Sequence, residues 1–269
     1  MAELIDDAGT HHTPVSSPRI LSLVPSLTET LIDLGLKDHL VGRTTFCIHP
    51  EKDVKVIPSV GGTKRINMDK VRKIKPSHAI VNVDENPKQM ADDLEKLGIS
   101  VTVTHPIQPA DNIKLFRLLG GLFNVRDMAE KYIAEFNDIF HRPCPRQPQN
   151  RVLYLIWKDP WMTINNETYI AHTLAWAGLR HYDFKDAPRY PEIELTEQVL
   201  SAVDHVLFSS EPYAFKQTDL DHFAKMFPEH GHKARLINGE YTSWYGTRSV
   251  AGLRYLADFA KGVRTCAQR

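Results

Sequence analysis

The sequence predicts an α/β fold of two lobes, because short apolar segments alternate with helical ones and the alternation then starts again. In the first half, ILSLV (20–24), HAIVNV (78–83) and SVTVTHP (100–106) have the composition of buried strands, with helical apolar spacing between them. In the second half, RVLYLIW (151–157) and HVLFSS (205–210) renew the pattern. Strands that alternate with helices are typical of mainly parallel, Rossmann-like sheets.

The boundary between the lobes lies at a long helix followed by prolines. Met128, Ile133 and Phe136 recur at helical spacing, and three prolines interrupt HRPCPRQPQN (141–150). We therefore expect a disordered tail at 1–18, an N-terminal α/β lobe at 19–124, a linking helix with a proline-rich connector at 125–149, and a C-terminal α/β lobe at 150–265.

Composition excludes several classes of function. The 269 residues contain 33 Lys+Arg and 33 Asp+Glu, so the formal net charge is zero. A neutral chain does not favour nucleic-acid binding through phosphate neutralisation, nor polybasic attachment to a membrane. No stretch approaches the roughly 20 apolar residues of a membrane span. We expect a monomer that neither crosses a membrane nor binds nucleic acid.

The N-terminus and the cysteines bear on the compartment. The stretch MAELIDDAGTHHTPVSSPR has acidic first charges and no apolar run, unlike a secretory signal. Cys47, Cys144 and Cys266 are widely spaced, which favours three free thiols. We expect a cytoplasmic location for the chain as given, and a periplasmic one if a signal has been removed.

Motifs for catalysis are absent. The chain has no G-x-S-x-G elbow, Walker A loop, G-x-G-x-x-G after a strand, H-E-x-x-H or C-x-x-C, so we expect no catalytic cofactor. The segment FCIHP places Cys47 and His49 two residues apart, which makes them weak candidates for metal ligands. An enzyme in which Cys47, His49 and Glu240 form a reactive group remains an alternative.

Aromatic residues are concentrated in the turns that follow strands, namely Phe46, Trp157, Trp161, Tyr213, Phe215, Tyr241, Trp244 and Tyr245. Ligands of open α/β sheets bind outside the carboxyl ends of the strands. Aromatic side chains in those turns indicate stacking on a large, flat ligand. The alternative is that they only seal the ends of the two lobes.

Four segments carry a resemblance to a known family: RILSLVPSLTETLIDLGL, VGRTTFCIHP, VGGTKRINMDKVRKIKPSHAIVN and LEKLGISVTVT. They resemble the class III substrate-binding proteins, the cobalamin- and iron-siderophore-binding receptors of ABC importers, and most of all the cobalamin-binding branch. The resemblance covers nearly the whole chain. It implies two α/β lobes joined by one long, rigid backbone helix, with a ligand cleft between them.

The resemblance also implies roles for individual residues. The ligand-binding positions would be Pro25, Phe46, His49, Thr63, Asn82, Trp157, Trp161, Tyr190, Glu240 and Tyr241, with Trp244 and Arg248 close by. Asp69 and Glu197 would dock to an ABC transporter permease. Thr63, Asn82 and Tyr190 stand where several relatives have tryptophans that contact cobalamin.

The sequence therefore predicts a binding protein, and not an enzyme, for a metal chelate such as cobalamin, haem or an iron-siderophore. Aromatic stacking would be supported by polar anchors at Arg43, Glu85, Glu211, Glu240 and Arg248. We expect the replacement of Trp161 or Trp244 by Ala to weaken binding by roughly 1–3 kcal/mol each. The alternatives are an enzyme, a cytosolic sensor, or a cofactor chaperone that uses the same cleft.

Overall fold

The computed structural model describes residues 3–142 and 150–266, with side chains described as far as residue 263. The chain forms two compact units. The first contains Met1–Pro106, Ala110–Asn137 and Tyr245–Arg248, and the second contains Ile107–Pro109, Asp138–Trp244 and Ser249–Arg269.

The first unit has a small hairpin and one five-stranded sheet. Its strands are β1 (Leu4–Ile5), β2 (His11–His12), β3 (Ile20–Ser22), β4 (Leu40–Thr44), β5 (Ser59–Gly61), β6 (His78–Asn82) and β7 (Ser100–Thr104). Its helices are α1 (Pro25–Asp33), α2 (Glu51–Val54), α3 (Met68–Ile74), α4 (Lys88–Glu95), α5 (Asp111–Leu122) and α6 (Arg126–Phe140), the last of which ends in the second unit. The sheet has the order β5-β4-β3-β6-β7, and all its strands are parallel.

A core lies between this sheet and its helices. Leu21 of β3 and Val81 of β6 pack with Val71 of α3 and Leu94 of α4, and all four are buried. The apolar runs that predicted strands at 20–24, 78–83 and 100–106 are thus the buried strands β3, β6 and β7, which confirms the α/β fold.

The N-terminal residues differ from the predicted disordered tail, because β1 and β2 form a hairpin against β7. The prediction of a tail over 1–18 is therefore wrong for the hairpin. The buried Asp6 carboxylate accepts hydrogen bonds from the N–H groups of Ala8, Thr10 and Val103 and contacts His12 Nε2 at 3.0 Å. Two-residue strands show no periodicity, and the bond to Val103 joins residues 97 positions apart, so local sequence patterns could not reveal it.

Leu4 fixes the hairpin to α5. The side chain of Leu4 lies directly over Gly121, where a Cβ atom would overlap it. A side chain at position 121 would therefore have to displace the end of the Leu4 side chain.

Tyr245–Arg248 joins the first unit although the residues on either side of it belong to the second. Gly246 has φ +81 and a Cβ there would overlap Thr30, so glycine is required on both counts. Its N–H donates to Asn112 Oδ1 at 2.6 Å. The Arg248 guanidinium makes two bonds of 2.6 Å to the carboxylate of Glu29 on α1, and both side chains are 13% exposed.

The second unit has a second five-stranded sheet. Its strands are β8 (Asn150–Trp157), β9 (Met162–Thr163), β10 (Leu179–His181), β11 (His205–Ser209) and β12 (Ala234–Ile237). Its helices are α7 (Tyr169–Trp176), α8 (Glu197–Ser201), α9 (Gln217–Met226), α10 (Gly239–Ser243) and α11 (Arg248–Cys266), which starts in the first unit. The order is β10-β8-β11-β12 with parallel pairing, and β9 adds to β8 in the antiparallel direction.

Alternate residues of β8 supply two cores, one on each face of the sheet. Val152, Tyr154 and Ile156 belong to one cluster, whereas Leu153 and Leu155 belong to the other. A strand that is buried on both faces reads as a continuous apolar run, which is why RVLYLIW predicted it correctly.

The linking region is described in part. The helix expected over 125–140 is α6, and its residues from Asp138 onward belong to the second unit. Residues 143–149, which contain Cys144 and the prolines of the predicted connector, lie outside the described residues. None of the helices in the described part of the chain has the length and apolar character needed to cross a membrane.

The hairpin depends on the charge of Asp6. Burial by itself raises the pKa of Asp6, but the hydrogen bonds from Val103, His12, Thr10 and Ala8 together lower the pKa below its ordinary value. We expect Asp6→Asn to lower the free energy of hairpin opening by about 1–3 kcal/mol. Amide hydrogen exchange at Thr10 and Val103 measures this opening at neutral pH.

Acid should remove this difference. A carboxylate whose pKa is lower in the folded state than in the unfolded state stabilises the fold fully above its unfolded-state pKa of about 3.9. This stabilisation is lost as the pH falls through the folded-state pKa. The gap between the parent and Asp6→Asn should therefore close as the pH falls below about 4. The exposed Glu3→Gln is the matched control, and a gap that persists in acid would contradict the assignment.

The ion pair between Arg248 and Glu29 should be essential for stability. Because both side chains are largely buried, Arg248→Met leaves the Glu29 carboxylate without its partner, at a cost of about 3–5 kcal/mol. Urea denaturation measures the loss. The control is Arg72→Met, which breaks an exposed pair with Asp69 and should cost under about 1 kcal/mol. Equal effects of the two variants would refute the structural role of Arg248.

Candidate functional site

Each sheet has a point at which the chain changes direction across it. In the first sheet the chain moves outward from β3 to β4 and β5, then returns to add β6 and β7 on the other side. In the second sheet the same reversal separates β8 from β11. Ligands of open α/β sheets bind in the turns at such switch points. Each unit therefore has its own candidate positions, in the turns after β3 and β6 of the first unit and in the turns after β8 and β11 of the second.

Two asparagines hold the turns of the first unit in place. Asn82 Oδ1 accepts the N–H groups of Asp84 and Glu85 at 2.8 and 3.3 Å, and Asn82 Nδ2 donates to the Thr104 carbonyl. Asn86 Nδ2 donates to the carbonyls of Leu23 and Thr63. Asn82 is 2% exposed, so this predicted ligand residue organises the turn from within.

Glu85 is held by a buried tyrosine. Tyr245 donates from its hydroxyl to Glu85 Oε1 at 3.2 Å. Burial and the negative charge of Glu85 raise the pKa of Tyr245 well above its ordinary value, so the hydroxyl remains a donor. The Glu85 side chain is half-buried at the switch point.

Apolar side chains of the first unit are open to solvent beside these turns. Phe46 is 60% exposed and lies against Gly62, and Val83 is 51% exposed at the end of β6. Pro25 begins α1 directly after β3, and Thr63 follows β5, each half-buried. His49 is half-buried in the turn after β4, in the same segment as Phe46.

The second unit presents one open aromatic surface. Trp157 ends β8, is 40% exposed, and contacts Tyr213 edge to face with 5.5 Å between the ring centroids. Lys158 Nζ lies 5.2 Å from the centroid of the Tyr213 ring and makes an ion pair with Asp219. The hydrogen bonds to Asp219 and Tyr213 raise the pKa of Lys158 above its ordinary value, so the ammonium is permanent.

Trp161 and Trp244 are less open than expected. The Trp161 ring stacks on Phe215 at 6.2 Å and packs against the core that contains Phe208. Trp244 is 9% exposed, and its indole N–H donates to Glu211 Oε1 at 2.7 Å. The structure therefore assigns packing contacts to both tryptophans, and Trp157 offers the larger exposed ring surface.

Glu211 corresponds in the second unit to Glu85 in the first. It follows β11 at the switch point, and its Oε1 also accepts the Ser243 hydroxyl at 2.9 Å. The remaining predicted positions of this unit lie in or near its turns. Glu240 and Tyr241 are half-buried in α10, directly after β12, and Tyr190 is 38% exposed before α8.

Two predicted residues have structural contacts of their own. The Arg248 guanidinium binds Glu29, and this pair fixes the segment at 245–248 to α1. Cys47 is 1% exposed and hydrogen-bonded to Thr28 and Thr44. Burial raises the pKa of the Cys47 thiol, which disfavours both a thiolate nucleophile and a thiolate metal ligand. Among the described residues, no three His, Cys, Asp or Glu side chains form a group that could hold a metal ion.

The two expected docking carboxylates occupy equivalent places in their units. Asp69 lies in the first turn of α3 after the N-cap residue Asn67, and Glu197 lies in the first turn of α8 after the N-cap residue Thr196. Their side chains are 91% and 75% exposed, respectively. Each carboxylate is therefore available on the surface of its own unit.

Sequence reasoning missed the contacts of three residues that organise the site. Asn86 received no role, and Tyr213 and Tyr245 were named only among the aromatic residues of the turns, although Asn86 joins three segments and Tyr245 holds Glu85. The signal available was position alone, because Asn86 and Tyr213 lie in the turns after β6 and β11. The bond of Tyr245 to Glu85 spans 160 positions, beyond any local pattern.

The chain is similar in sequence to two proteins that are named for vitamin B12. The vitamin B12-binding protein of Vibrio vulnificus is 26% identical over 214 residues, which are 75% of this chain and 74% of the relative. The vitamin B12-binding protein of Yersinia pestis is 24% identical over 199 residues, covering 72% of this chain and 70% of the relative.

Solved structures show the same fold. The periplasmic vitamin B12-binding protein of Vibrio cholerae matches with a TM-score of 0.80 and 18% identity, over 93% of this chain and 99% of that one. A periplasmic haem-binding protein of Pseudomonas aeruginosa matches with a TM-score of 0.75 and 22% identity, over 90% and 92%.

The family profile described as periplasmic binding protein matches residues 20–229, which span both sheets apart from the last strand. The members named in these comparisons are binding proteins, and the expected class of substrate-binding protein is confirmed. The chain belongs to the periplasmic binding protein family.

Proposed function

We propose that this protein binds a corrinoid of the vitamin B12 type and releases it unchanged to an ABC transporter. The observation that carries the proposal is the open aromatic ring of Trp157 at a switch point of a parallel sheet, in a chain whose relatives are named vitamin B12-binding proteins. A corrin ring is large and flat, and an exposed indole offers it a matching apolar surface.

Cobalamin is favoured over haem by the sequence relatives. The proteins that match over about three quarters of this chain are named for vitamin B12, whereas the haem-binding proteins match in fold at 22% identity or less. Phe46 and Trp157 would contact the ring, and the half-buried Glu85 and Glu240 would anchor polar groups of the ligand.

Binding without catalysis is supported by the state of the candidate reactive groups. The enzyme hypothesis needs a reactive Cys47, and this thiol is buried, hydrogen-bonded and raised in pKa. A binding protein needs no nucleophile, only a surface that fits its ligand. The cytosolic sensor and cofactor chaperone have no observation in their favour.

Delivery to a transporter would use the two surface carboxylates. We propose that Asp69 and Glu197 bind cationic side chains of an ABC permease, in line with a neighbour from Listeria monocytogenes that is named an ABC transporter substrate-binding protein. We propose a periplasmic location, which is the one named for several of its structural neighbours.

Calorimetric titration with cyanocobalamin tests the ligand. We expect one binding site per chain, and we expect Trp157→Ala to weaken binding by about 1–3 kcal/mol through the loss of its exposed ring. The matched control is Trp176→Phe, because Trp176 packs on Phe140 within the second unit, on α7. Its affinity for cyanocobalamin should equal that of the parent.

Haemin in the same titration separates the two chelates. If haemin binds more tightly than cyanocobalamin, the ligand of this protein is a tetrapyrrole dicarboxylate and not a corrinoid. Affinity for neither ligand, or an equal loss in the two variants, would contradict the proposed stacking role of Trp157.

A further inference from the structure

We propose that His230 is a positioning residue, which holds the Glu197 carboxylate ready to receive a guanidinium group from a docking partner. The inference rests on the proposed docking function and adds a residue to it. The first unit has no corresponding histidine at Asp69 among its described contacts, so the two carboxylates are prepared for docking in different ways.

The contacts of Glu197 show how it is held. His230 Nε2 lies 2.9 Å from Glu197 Oε1 and 3.0 Å from Oε2, and the Ser201 hydroxyl donates to Oε1 at 2.6 Å. The Glu197 side chain is still 75% exposed. The carboxylate therefore keeps acceptor capacity toward solvent for a planar, two-pronged donor such as arginine.

The His230 ring is itself fixed. Its side chain is 9% exposed, and its backbone N–H donates to the Phe227 carbonyl at 3.0 Å, just after α9. His230 Nδ1 is buried and has no hydrogen-bond partner among the described residues. That environment assigns the ring proton to Nε2, the nitrogen that faces Glu197.

The charge of Glu197 follows from the same contacts. The hydrogen bonds from Ser201 and His230 lower the pKa of Glu197 below its ordinary value, and the nearby Lys233 acts in the same direction. Lys233 Nζ is itself directed to the Leu200 carbonyl at 2.7 Å. The carboxylate is therefore anionic at neutral pH and directed outward.

Asp69 provides an internal comparison. Its only described side-chain partner is Arg72 three residues later, at 2.7 Å, and both side chains are more than half exposed. Such a surface pair on one helix orders a carboxylate weakly. We infer that Glu197 is the ordered docking carboxylate and Asp69 the adaptable one.

Ordering the carboxylate in advance should increase its affinity for a guanidinium. Immobilising one flexible side chain on binding costs a factor of about 2 to 10 in affinity, and His230 removes this cost for Glu197 before the partner arrives. We therefore expect His230→Leu to weaken guanidinium binding at Glu197 by about 2- to 10-fold. His230→Gln keeps an N–H donor and should restore most of the parent affinity.

The test is an NMR titration of the full chain, labelled with ¹³C at the carboxyl groups of Asp and Glu. N-acetyl-arginine amide is the probe, and the Glu197 and Asp69 signals are followed in the parent and in both variants. We expect His230→Leu to alter binding at Glu197 alone, with Asp69 unchanged. Thermal unfolding of each variant confirms that the comparison is made between folded proteins.

The outcomes separate this inference from the function on which it rests. Unchanged or tighter binding at Glu197 in His230→Leu, or a failure of His230→Gln to restore the parent value, would overturn the positioning role. If His230→Leu does not fold, binding at Glu197 is compared between His230→Gln, which keeps a donor to the carboxylate, and Ser201→Ala, which removes one. Only Ser201→Ala should then weaken guanidinium binding at Glu197. A permease complex that binds equally well when Asp69 and Glu197 are replaced would refute the docking function and leave the NMR result intact.

Discussion

The parallel direction of the strands is the constraint on which the rest of the structure depends. Parallel strands bring all their carboxyl ends to one edge of a sheet, and every connection must return along the opposite direction through a helix or a crossover. Both sheets obey this rule, except for the two-residue β9. As a result, turns that are far apart in sequence lie side by side, and Asn82 and Asn86 connect them by hydrogen bonds.

Each unit also stabilises its switch point with a glutamate. Glu85 accepts a hydrogen bond from Tyr245, and Glu211 accepts one from Trp244, the preceding residue in the chain. Two consecutive aromatic residues thus complete the polar contacts of two different units. Buried polar networks of this kind make turns rigid, because any alternative arrangement leaves a buried group without its partner.

The sequence alone predicted the α/β alternation, the lobes' main strands and the class of binding protein, because apolar runs in β6 and β8 are strong local signals. It missed the N-terminal hairpin and the short strands β5, β9 and β10, which depend on distant partners such as Val103 for Asp6. It also indicated which residues lie in the turns, but not which contacts they make.

The roles were harder to predict because they depend on three-dimensional neighbours. Trp157 and Trp244 are the same residue type in the same unit, yet Trp244 is buried and donates to Glu211 whereas Trp157 is 40% exposed. Arg248 is a residue type that often anchors ligands, but its guanidinium donates to the carboxylate of Glu29, 219 positions away. Exposure and long-range pairing cannot be read from spacing in one sequence.

Hydrogen–deuterium exchange with and without cyanocobalamin tests the central claim most directly, because it locates the ligand without assuming which residues bind it. The account predicts slower exchange in the turns at 83–86 of the first unit and at 157–161 and 210–215 of the second, with α3 and α8 unchanged. Protection at the amino ends of the strands would contradict the placement of the ligand contacts at the carboxyl ends of the strands.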